Sequence, residues 1–76
     1  MLRDETIEDL FKTMNGAIKQ FKFDNPSQVH RIFHLEESIK ICRLMPCQEA
    51  KFDCLEVVRK QINKYVREIE FERKHC

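Results

Sequence analysis

Apolar residues recur along this chain at steps of three and four, and the rhythm is interrupted in only two places. In the first stretch Ile7, Leu10, Phe11, Met14, Ala17, Ile18 and Phe21 fall within one stripe of a 3.6-residue helix. The spacing predicts a helix over about residues 6–23. Asp4, or Thr6 with Asp9 three residues on, would cap its start, and the acidic cluster there suits the positive end of the helix dipole. Gly16 lies opposite the stripe. It is either tolerated there, at about 1 kcal/mol relative to alanine, or leaves room for another chain.

The first interruption is Asp24-Asn25-Pro26-Ser27-Gln28. Proline has a fixed φ and no N–H, which suits the first position of a helix, and Asn25 with Gln28 has the pattern of a capping box. A second helix is therefore expected over 26–44. Its densest stripe runs through Val29, Ile32, Leu35, Ile39 and Cys42, and Phe33, Ile41 and Leu44 fall off it. A helix apolar on more than one side is either central in its bundle or turned toward a partner.

Pro46 disfavours the helical region for Met45, which ends the second helix near Leu44. Downstream, Asp53 and Glu56 form a D-x-x-E box, and Phe52 and Val57 occupy the positions of a hydrophobic staple. The expected third helix starts at Asp53 and runs to about Lys74, with 46–51 left as a loop or short turn. Leu55, Val58, Ile62, Tyr65 and Ile69 alternate by three and four, as in a coiled-coil seam. The fold class is all-α: a single helical domain over 1–76, built as a three-helix bundle or helical hairpin arrangement.

Composition adjusts this picture in two ways. At 76 residues a domain buries only about 60% of the surface its unfolded chain exposes, so oligomers and partners are favoured. With 42% apolar and 36% charged residues the chain suits amphipathic helices rather than disorder. Net charge is +1 and spread evenly along the chain, so bulk charge draws it to neither nucleic acid nor membrane. No apolar run reaches the roughly 18 residues of a membrane span, and Met1-Leu2-Arg3-Asp4-Glu5 lacks the apolar core of a signal peptide. A cytoplasmic protein with no membrane contact is the expectation.

Candidate chemistry is sparse. Cys42, Cys47, Cys54 and Cys76 lack the spacing and knuckle glycines of a structural zinc site, and few glycines or loops accompany them as they would in a disulfide scaffold. Reduced thiols are expected, with Cys42 in the core. A Cys47–Cys54 bridge, or an activated Cys54 thiol at a helix start, are the alternatives. His30 and His34 share a helix face with Glu37, but the glutamate a zinc protease places beside its first histidine is missing, and solvated side chains are the simpler reading. The carboxylates offer no paired site. We therefore expect no enzyme, cofactor or metal.

Two surface patterns remain. Lys60, Lys64, Arg67 and Lys74 form a basic stripe opposite the Leu55–Ile69 seam, interrupted by Phe71, and such a stripe suits phosphate contact. Phe23, Phe33, Ile41, Val57 and Phe71 lie off their helices' main stripes and would mark a partner surface if exposed. The leading expectation is a small helical protein–protein interaction module, a regulator, inhibitor or adaptor, self-associating as a homodimer. A DNA-binding regulator using the third helix is the alternative, and a structural metal or redox-thiol protein the second.

Overall fold

The computed structural model describes residues 4–75 and folds them into α1 (Asp4–Asp24), α2 (Val29–Arg43) and α3 (Gln48–Lys74). Each helix packs on both others, and among the described residues there is no strand. Cross-helix contacts establish the directions. Arg43 at the end of α2 reaches Glu8 near the start of α1, so these two run antiparallel. Arg31 meets Glu68 and Glu72 while Cys42 meets Cys54, so α2 and α3 are antiparallel as well. Phe21 lies against Tyr65 and Arg73 donates to Asn25, which makes α1 and α3 parallel. The result is an up-down-up bundle measuring 47 × 16 × 16 Å, close to the roughly 40 Å length of α3 itself.

The core follows the helical stripes. Ile7, Phe11, Met14, Ile18 and Phe21 from α1 are buried, as are Ile32, Leu35, Ile39 and Cys42 from α2 and Leu55, Val58, Ile62 and Ile69 from α3. Leu10, Ala17, Phe52, Cys54 and Tyr65 pack against them half-buried. No polar or charged residue is buried among those described, so the interior is held by apolar burial at about 1.5–3 kcal/mol per large side chain. The Arg43 guanidinium closes the core over the Phe11 ring, 4.3 Å from its centre.

The ends of the helices depart from the sequence reading. α1 begins at Asp4, so Thr6 lies inside it rather than at its cap. Asn25 does not open α2. Its side-chain amide donates to the Phe21 carbonyl at 3.2 Å and so caps the end of α1. Pro26 then occupies the second position of a turn closed by Gln28 N–H to Asn25 O at 3.0 Å, the other setting that proline's fixed φ favours. α2 starts three residues later than expected, at Val29, behind a Gln28 with no side-chain cap bond. α3 starts five residues earlier, at Gln48. Cys47 is extended at its N-cap, and its carbonyl accepts from Lys51 N–H at 3.1 Å. Asp53 therefore sits inside a helix rather than at its cap. Phe52 turns to the core while Val57 is exposed, so the expected staple does not form.

Two further expectations change. Val29 is exposed rather than part of the buried row, because it stands roughly 100° around the helix from that row's centre. Cys42 and Cys54 form a disulfide, with Cα atoms 5.4 Å apart, in place of the expected reduced thiols or a Cys47–Cys54 bridge. The bridge joins the last turn of α2 to the second turn of α3, where the antiparallel register sets their inward rows face to face. Cys47, in the connection, is exposed and free.

Candidate interaction surfaces

Once the three seams are packed, the outward faces of the helices carry what is left. Val29, Phe33 and Ile41 on α2 with Leu44 at its C-terminal cap, Val57 and Phe71 on α3, and Phe23 on α1 are 52–83% exposed. On α2 the four lie within an arc of roughly 120° at 100° per residue, centred away from the Ile32–Cys42 row. That helix is apolar on its inside and its outside alike.

The outward face of α3 is of mixed character. Lys60, Lys64, Arg67 and Lys74 are all exposed there, and Val57 and Phe71 lie among them within an arc of roughly 100°. Phe71 rests on the ring of His75, centroids 4.1 Å apart. Near its start the face is partly neutralised. Arg59 donates to the Glu56 carboxylate, and that hydrogen bond, with the charges of Arg59 and Lys60, holds the Glu56 pKa below its ordinary value.

The five apolar residues singled out from the sequence are thus all exposed, but they do not form one patch. Outward faces of three mutually packed helices point in three directions, which separates Phe33 and Ile41 on α2, Val57 and Phe71 on α3, and Phe23 alone on α1. One member of the α2 face escapes the sequence reading: Val29, which that reading puts in the buried row, whereas it sets Leu44 off the row with Phe33 and Ile41. The signal for Val29 is its spacing to Phe33, four residues on.

Between α2 and α3 a polar cluster fixes the register. Arg31 pairs with Glu72 at 3.2 Å and Glu68 at 3.6 Å, donates to Gln28, and lies over the Tyr65 ring 5.5 Å from its centre. The Tyr65 hydroxyl meets His34 Nδ1 at 2.7 Å, and Ser38 donates to the His34 carbonyl. His34 is therefore engaged across the helix pair instead of joining His30 and Glu37. Among the described residues no group of three or more histidine, cysteine or acidic side chains is arranged to hold a metal ion. No described helix is long and apolar enough to cross a membrane.

A shallow groove between α1 and α3, lined by Ala17, Gln20, Phe21, Val66, Ile69 and Arg73 among others, is open along its length. Asp24, Asn25 and Glu70 also line it, and at that end Gln20 donates to Asp24 and Arg73 to Asn25. Comparison of the chain with protein-family models, with curated proteins and with solved structures finds no match.

Proposed function

We infer that this chain acts by binding another protein rather than by chemistry, as a small regulator, inhibitor or adaptor that also self-associates. The observation that carries this reading is the row of exposed apolar side chains on α2, in a helix that already buries a separate apolar row. Isolated exposed leucines are ordinary on protein surfaces, but here four large apolar groups share one outward arc of α2 and its C-terminal cap, as the pairs Val29 with Phe33 and Ile41 with Leu44, with Glu37 and Lys40 between the pairs. Such patches, when rimmed by charge, are the cores of protein interfaces. Here His30, Glu37 and Lys40 lie among the apolar groups and Glu36 at their edge.

The test is affinity capture from the native host by the wild-type chain and by a Phe33→Ser/Phe71→Ser variant, alongside sedimentation of both. The reading expects a partner, or a second copy, held by the wild type and lost by the variant. A monomeric wild type whose captured set matches that of the variant would overturn it.

Nucleic-acid binding through Lys60, Lys64, Arg67 and Lys74 is a second reading, supported by their shared exposed face on a 27-residue helix. It requires a salt-sensitive affinity that the Lys60→Ala/Lys64→Ala/Arg67→Ala variant loses, and it fails if no duplex is bound at low salt. The Cys42–Cys54 bridge fits an oxidising compartment better than the cytosol the sequence suggests, because cellular thiol systems keep cytosolic cysteines reduced. Alkylation of the protein in cells, before and after a reductant, tells the two settings apart.

A further inference from the structure

We propose that the outward face of α3 from Lys60 to Lys74 binds single-stranded nucleic acid, with one phosphate backbone along its row of cations and an unpaired base stacked on Phe71. The proposal rests on the nucleic-acid reading above and names its ligand. Lys60, Lys64, Arg67 and Lys74 are exposed within one arc of roughly 80° and spread over roughly 21 Å of helix. None of the four makes an ion pair with a described residue. The acids nearby are engaged or turned aside: Arg31 holds Glu68 and Glu72, Arg59 holds Glu56, and Glu70 lines the groove between α1 and α3. Glu49 and Asp53 share the arc only before Lys60, in the first two turns of the helix. A row of uncompensated cations along one face attracts a linear polyanion.

The flanks of the face decide between one strand and two. A helix seated in the major groove of a duplex has a phosphate backbone on either side of it, and so calls for cations on both flanks. Here Glu70 borders the face toward α1, beside an Arg73 directed to Asn25, and Glu68 and Glu72 border it toward α2. The basic row runs along the centre, where one backbone fits and two do not. Phe71 agrees with that arrangement. It is 63% exposed, within the same arc, and one turn from both Arg67 and Lys74. His75 lies against its ring, and the rest of the ring is open to solvent. In a duplex each base face is covered by its neighbours, so the ring would meet only groove edges. An unpaired base offers its whole face, and such stacking tolerates any base.

Fluorescence anisotropy with labelled oligothymidylate and oligouridylate of about 20 nucleotides, and with a duplex of the same length, tests the ligand. The wild type should bind single strands more tightly than the duplex, with log affinity falling against log salt at a slope of about −3 for four phosphate contacts. Affinity for either sugar supports the proposal, the tighter arm naming DNA or RNA. Phe71→Ala should weaken single-strand binding about ten-fold and leave the salt slope and duplex binding unchanged. Lys60→Ala/Lys64→Ala/Arg67→Ala should instead reduce the slope by about two. Both variants should keep the helical circular-dichroism spectrum, because all four positions are exposed. The chain has no tryptophan, so Phe71→Trp supplies a stacking signal, which oligothymidylate should quench and the duplex should not. A Phe71→Ala variant with wild-type single-strand affinity, or a duplex bound as tightly as the single strands, overturns the proposal while the nucleic-acid reading stands. No binding to single strand or duplex at low salt ends both, and capture on phosphatidylserine vesicles would then assign the face to an anionic membrane.

Discussion

α2 and α3 use their outward faces differently. α3 turns one seam inward and presents mostly lysines and arginine to solvent, with Val57 and Phe71 spaced among them. α2 is little more than half as long, yet it buries Ile32, Leu35, Ile39 and Cys42 and still exposes Val29, Phe33, Ile41 and Leu44. A three-helix bundle of this size gains no stability from the outer row, because exposed apolar surface stays in contact with water. The outer row of α2 is therefore left unexplained by folding, as are Phe23, Val57 and Phe71 elsewhere, and the inner row is the part of α2 that folding requires.

Substitutions two residues apart separate those roles most sharply. Leu35 is fully buried and Phe33 stands outside, so Leu35→Ala should cost about 2–5 kcal/mol of unfolding free energy. Phe33→Ala should stay within about 0.5 kcal/mol in the isolated monomer. Urea unfolding of the two variants at low protein concentration checks the contrast, and comparable losses would erase the distinction between the faces.

Next in size is the link between the inner rows of the two helices. Cys42→Ser/Cys54→Ser opens a loop closed across a sequence separation of 12, for an expected loss of about 3 kcal/mol on the chain-entropy account. A reductant should reproduce most of that loss in the wild type and none of it in the variant. Thermal melts with and without reductant read this directly.

The outside of α1 provides a smaller contrast. A Cβ added at Gly16 meets nothing within 4 Å, so Gly16→Ala should stabilise the fold by about 0.5–1 kcal/mol through helix propensity alone. Loss of self-association in that variant would show that the glycine leaves room for another chain. The smallest effect belongs to Glu56 on α3. Its folded pKa lies below its ordinary value, so its contribution is present above the ordinary carboxylate range and is lost as pH falls through the folded pKa. NMR titration should show that pKa returning toward normal in Arg59→Ala, with little change in melting temperature, because the pair is exposed to solvent.

Much of this was legible in the spacing of residues. The seams of α1 and α3 match the buried positions, since a 3.6-residue period places those side chains on one face whatever they pack against. Helix ends were less legible because one local pattern serves two structures. Asn25-Pro26 can open a helix or form a turn, and here Asn25 is occupied capping α1 and accepting from Arg73. The start of α3 was missed because a D-x-x-E pair resembles a cap even within a helix. On α2, Phe33, Ile41 and Leu44 were legible together as a second apolar side, whereas Val29 was read into the buried row because it stands at that row's edge.

What the amino-acid sequence determined alone is the set of three amphipathic segments and the side chains each must hide, because helical periodicity is a property of the chain itself. Tertiary structure decided which cysteines meet, since Cys42 and Cys54 approach only when α2 and α3 take their antiparallel register. It also decided which apolar side chains remain outside, because a third helix can cover only one side of each neighbour. The row from Val29 to Leu44 is exposed for that reason, and it stands outside only because the opposite face of α2 is closed by the other two helices.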